Sequence, residues 1–177
     1  MLRLKPIYVS TPWGGQRLGE LFRRSLPENS IGESWEVVEN DRFHSQVLEG
    51  EHAGKYVGDL WRQGLLGGTA QGRFPVTIRW LDASGRLSVQ VKQTPPDASY
   101  AETWYVADAH PKANLLVGHY PGFDPTTLKQ AIAGGTFQKW LYETRPRVGE
   151  MALVRGGSIH CIGAGFVMLC IAEPDEA

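Results

Sequence analysis

The chain has 177 residues, 42% of them hydrophobic and 21% charged, with a formal net charge of −1. That length fits one domain spanning 1–177, with a core large enough to need no disulfide staples. Near-neutrality with scattered Lys and Arg excludes a basic nucleic-acid surface, and no apolar run approaches the roughly 18 residues of a membrane span.

The first ten residues, MLRLKPIYVS, lack the apolar stretch and cleavage site of a signal peptide, so the expected location is the cytoplasm. The 21 Gly and 11 Pro residues separate short apolar runs, a pattern of many strands and few helices. A short helix is expected over 19–26 (GELFRRSL), followed by strands over 34–39 (SWEVVE), 45–50 (SQVLEG), 76–83 (VTIRWLDA) and 87–92 (LSVQVK). Further strands are expected over 102–108 (ETWYVAD) and 114–120 (NLLVGHY). The run 124–143 reads as helical, with Asp124 as its cap and Pro125 at its first position. Gly134-Gly135 should break it into two pieces. Strands over 151–156 (MALVRG) and 166–173 (FVMLCIAE) close the chain. Cys161 and Cys170 lie in the apolar C-terminal part and read as free buried thiols. The fold class is therefore mainly all-β, a sandwich or jelly roll with a few short helices.

Three places concentrate polar chemistry. In 87–92, period-two alternation puts Leu87, Val89 and Val91 on one face and Ser88, Gln90 and Lys92 on the other. In 102–108, Glu102 shares a face with Trp104 and Val106, an unusual carboxylate–indole pairing for a plain solvent face. His160 follows the glycine turn Gly156-Gly157, where residues without a Cβ are free to take turn conformations. A polar two-strand cluster followed by a Gly-rich turn into a His is the two-part layout of the cupins. His44, His52, His110 and His119 show no ligand spacing among themselves and read as surface residues.

The blocks PWGG (12–15), GESWEV (32–37), FPVTIRWLDA (74–83), LSVQVK, ETWYVADA (102–109) and GGSIHCIGAG (156–165) occur in an order and spacing that resemble the type I phosphomannose isomerases. The resemblance implies a cupin-type jelly-roll β-barrel holding one zinc ion. It also implies a metal-ligand set of a Gln and a His two apart, a Glu and a distant His, which falls here on Gln90, Lys92, Glu102 and His160. Lys92 stands where the family has His. A lysine binds metal only as the free amine, and reaching that form at pH 7 costs about 4.6 kcal/mol from its usual pKa. The zinc expected from the family is therefore expected to bind weakly or not at all. Lys92 could instead act as a fixed ammonium beside Glu102. The family's later Tyr-Arg-x-Tyr-Asp segment, with its active-site Arg, has no counterpart in this sequence. Arg79 and Arg155 are the candidates to supply that charge.

The activity implied is aldose–ketose isomerisation between mannose 6-phosphate and fructose 6-phosphate, with Lys92 and Arg79 as catalytic residues and Gln90, Glu102 and His160 as metal ligands. The alternative is a non-catalytic, metal-poor cupin that binds a sugar or sugar phosphate. The expected partner is a small sugar phosphate rather than nucleic acid or membrane, and exposed sheet edges leave pairing into a homodimer open.

Overall fold

The computed structural model describes residues 1–67, 72–91 and 100–174. Two antiparallel sheets carry the fold. The larger has six strands in the order β1-β2-β3-β10-β5-β8: β1 is Ile7–Gly15, β2 Ile31–Val37, β3 Thr77–Ala83, β5 Ala101–Ala109, β8 Met151–Arg155 and β10 Phe166–Ala172. The smaller has four, β4-β9-β6-β7: β4 is Gln90–Val91, β6 Leu115–His119, β7 Leu141–Thr144 and β9 Ile159–Ile162. This is the mainly-β, cupin-type architecture expected.

Period-two alternation fixes which side chains meet. Leu81, Trp104, Val106, Leu115, Val154, Ile162, Phe166, Met168 and Cys170 form one buried cluster drawn from both sheets. Because β3, β10 and β5 pair in register, Arg79, Cys170 and Trp104 stand side by side across the large sheet, and Trp35 of β2 stands opposite Arg79. The other face of that sheet is covered by α1 (Arg17–Phe22), through Leu18, Ile31 and Val167 with Phe22 and Trp80 against them. The small sheet has its own outer cluster of Leu116, Leu141 and Cys161, flanked by Phe137. Both cysteines are free and buried.

Most expected elements are present, with instructive differences. The expected strand over 34–39 starts three residues earlier, and that over 87–92 is confined to Gln90–Val91 within the described residues. The run 45–50 forms only isolated bridges, Gln46 with Tyr56 and Val47 with Leu4. There the Ser45 hydroxyl accepts the Val38 N–H, so a side chain substitutes for a ladder bond. β1, β7 and helix α2 (Val57–Arg62) were not expected as such. The helical run is present in part: Asp124 accepts the Thr127 N–H at 2.7 Å, Pro125 opens α3 (Pro125–Ala133), and Gly134-Gly135 separates it from a 3-10 turn at Phe137–Trp140. Its last three residues, 141–143, are not helical but begin β7, held there by pairing with β6. No described helix is long and apolar enough to cross a membrane.

Candidate active site

At one end of the sheets lies a cavity of about 350 Å³, walled by β1, β2, β3, β4, β5 and β9. Gln90, Glu102, His160 and Arg79 all line it. Four residues spread over 82 positions of sequence thus converge through strand pairing: β4 lies against β9 with Gln90 opposite His160, while Arg79 and Glu102 project from β3 and β5 of the facing sheet. Lys92 lies outside the described residues. Arg155 is exposed and is not part of the cavity wall, so it is not the second cation there. None of His44, His52, His110 and His119 lines the cavity either.

His160 is only 7% exposed. Its Nδ1 lies 3.0 Å from the Ser158 carbonyl oxygen, which can only accept, so Nδ1 carries a proton and Nε2 is the ring nitrogen left for a ligand. Fixing one ring nitrogen in this way is how proteins prepare the other for a ligand. The ring meets Trp104 edge-on, with centroids 5.3 Å apart, which sets its plane. Glu102 is 5% exposed and its Oε2 accepts from the Tyr100 hydroxyl at 3.2 Å. Gln90 is exposed, and its amide nitrogen reaches Ser88 at 3.4 Å.

Arg79 is held between two carboxylates. Its guanidinium lies 3.8 Å from Glu33 and 3.9 Å from Glu102, with Trp35 beneath it at 4.9 Å. Burial by itself would lower the Arg79 pKa, but the negative groups around it, Glu33 and Glu102 among them, prevail and raise it, so the guanidinium stays charged. Glu33 is further fixed by the Trp35 indole N–H at 2.7 Å. Glu33, which lies just before the strand expected over 34–39, is a cavity residue as well. The signal was present: Glu33-Ser34-Trp35 repeats the Glu-x-Trp pattern of Glu102-Thr103-Trp104, and in both the carboxylate and indole share a face.

The donor set tests the fit to a metal. Among the described residues no group of three or more His, Cys, Asp or Glu side chains is gathered to hold an ion. The cavity offers one imidazole, one amide oxygen and two carboxylates, Glu33 and Glu102, both already faced by Arg79. Those donors fit a divalent ion of modest affinity, because zinc draws most of its affinity from His, Cys and carboxylate ligands. Two polar atoms of cavity-lining residues, Trp104 Nε1 and Thr11 Oγ1, are buried without a hydrogen-bond partner in the described structure.

No family model matches the chain. It is, however, 30% identical over 188 residues to a probable mannose-6-phosphate isomerase, GmuF, of Bacillus subtilis strain 168, covering 99% of this chain and 58% of that protein. The crystal structure of the mannose 6-phosphate isomerase from Bacillus subtilis superposes on 99% of this chain with a TM-score of 0.91, at 26% identity, and 59% of that chain is matched. The chain is a homologue of the mannose-6-phosphate isomerases. It spans less than three-fifths of the length of the Bacillus relatives it matches. A zinc-bound mannose 6-phosphate isomerase also shares the fold, with a TM-score of 0.70 at 13% identity, over 97% of this chain and 68% of that one.

Proposed function

We propose that this cupin-type chain, acting as one domain over 1–177, binds a phosphorylated hexose in the cavity and interconverts mannose 6-phosphate and fructose 6-phosphate with a divalent ion held by Gln90, Glu102 and His160. The observation that carries the reading is the convergence of those three side chains and Arg79 on one cavity wall in a homologue of isomerases of this name. Such an ion, when bound, would polarise the sugar's oxygen atoms and stabilise negative charge on them.

The chain's own groups supply the rest. His160, whose Nδ1–H donates to the Ser158 carbonyl, would offer Nε2 as its donor atom. Arg79 remains cationic and supplies electrostatic stabilisation to an enediolate formed as a proton moves between C1 and C2. Of the two carboxylates on the wall, Glu102 is assigned to the ion, which leaves Glu33 as the group placed to carry that proton. Lys92, at the position where the family has a ligand His, is assigned a catalytic role on that resemblance alone.

One observation favours the alternative of a non-catalytic sugar-phosphate binder. Arg79 already lies 3.9 Å from the Glu102 carboxylate, and a guanidinium there competes with a metal for the same negative charge. The experiment that separates the two is elemental analysis of the purified protein, as wild type and as Lys92→His, after equilibration with zinc. The isomerase reading expects a divalent ion bound in wild type and lost in His160→Ala. A wild type without metal that gains one per chain in Lys92→His supports the binder.

A further inference from the structure

The cavity is electrically uneven. Its wall carries two carboxylates, Glu33 and Glu102, and one guanidinium, Arg79, that faces both. An anion approaching Arg79 would therefore meet two negative charges at the same place, so Arg79 is poorly placed to bind a phosphate. A different cation lines the cavity without such a pairing. Arg42 lines the same cavity, is exposed, and makes no ion pair with a carboxylate among the described residues.

Arg42 is also held in place. It sits in a tight turn after β2, where the Asn40 side-chain oxygen accepts the backbone N–H groups of Arg42 at 2.9 Å and Phe43 at 2.7 Å. The turn is closed by the Asn40 N–H donating to the Phe43 carbonyl at 3.0 Å. The Arg42 guanidinium lies over the Phe43 ring at 4.7 Å. Phe43 packs on Trp35 with centroids 5.3 Å apart, and Arg79 stacks on that same indole. Two rings thus connect two guanidiniums, one neutralised inside the cavity and one unneutralised at its margin. Stacking leaves the edge donors of a guanidinium free, and these match a phosphate in a bidentate fork.

We propose that Arg42 is the anion-binding residue of this cavity, taking the phosphate of a phosphorylated hexose whose hydroxyl end faces Glu33, Arg79, Glu102 and His160. The assignment rests on the reading that the cavity receives such a sugar. The test is calorimetric titration of mannose 6-phosphate and of mannose into wild type, Arg42→Ala and Arg42→Lys, with melting curves to show that each variant is folded. Wild type should bind the phosphorylated sugar more tightly than mannose. Arg42→Ala should lose roughly tenfold to a hundredfold in mannose 6-phosphate affinity, leave mannose binding unchanged, and show an unaltered melting temperature. Arg42→Lys should fall between them, because the charge is kept and the planar fork is lost. If wild type prefers mannose 6-phosphate and Arg42→Ala keeps the full preference, Arg42 is not the anchor although the cavity still receives the sugar phosphate. If wild type binds neither sugar, or does not distinguish them, both the anchor and the cavity reading are overturned.

Discussion

Replacing Arg79 by Met removes one cation from between a buried carboxylate, Glu102, and a partly buried one, Glu33, and keeps most of the aliphatic bulk. At 3.8 and 3.9 Å, each attraction is about 4 kcal/mol before desolvation at an effective dielectric of 20. Most of that is offset by the cost of taking the charges out of water. Breaking a buried pair from one side costs about 3–5 kcal/mol. The Arg79 side chain is 26% exposed, and both separations exceed hydrogen-bonding distance. The expected loss is therefore lower, about 2–3 kcal/mol, with the stacking on Trp35 contributing a part of it. For a chain of this size that lowers the melting temperature by roughly 5–10 °C. The assay is urea unfolding of wild type, Arg79→Met, Glu102→Gln and the double variant, read as a cycle. A coupling of at least about 1 kcal/mol is expected between neighbours in one ion network. An Arg79→Met protein as stable as wild type, or a coupling near zero, would refute the claim that Arg79 neutralises Glu102.

Three other outcomes follow from single features. Gly14→Ala should cost about 3 kcal/mol or more in a urea melt, since a Cβ there would lie 2.3 Å from the Gly32 backbone nitrogen and 2.5 Å from the Ile31 carbonyl carbon, atoms that cannot swing away. Burial pushes the Cys170 thiol up to about 12, so it should resist a thiol reagent in the native protein at pH 8 and react on unfolding. Its protonated form contributes stability below the ordinary thiol value of 9.0 that is lost as pH rises toward 12, and Cys170→Ala should flatten that alkaline decline in a pH series of melts. The Arg17 guanidinium, hydrogen-bonded to Asp108, holds that carboxyl below its ordinary 3.8. The pair's contribution is thus present above that pH and fades as pH falls through the depressed value. With Asp108 half exposed, Asp108→Asn should cost only about 0.5 kcal/mol at pH 7 and nothing measurable at pH 2.

The long, regularly alternating strands were legible because their apolar positions alone define a buried face: 76–83 and 102–108 each fall within a residue or so of the observed β3 and β5. β1 escaped notice because STPWGG reads as turn chemistry. In the fold that stretch forms irregular pairing with β2, with register shifts on both sides of Ser10. β9 is four residues between glycine-rich turns, so the glycines on either side of His160, rather than periodicity, mark it. The site was half legible. Gln90, Glu102 and His160 were found through the family's pattern, and the cavity unites them. Glu33 and Arg42 were missed for different reasons. Glu33 lies just before the strand expected over 34–39, and only its Glu-x-Trp spacing, shared with Glu102, marks it. Arg42 belongs to a polar turn, NDRF, whose approach to the cavity depends on the Trp35–Phe43 contact, a tertiary feature that no local pattern encodes.

The most direct test of the central claim is to follow fructose 6-phosphate formation from mannose 6-phosphate by the purified chain, in zinc-supplemented buffer and after chelation. The account predicts conversion that depends on the metal and is abolished in both His160→Ala and Glu102→Gln. No conversion by folded, zinc-supplemented wild type at saturating substrate would contradict it, as would conversion that survives the loss of His160.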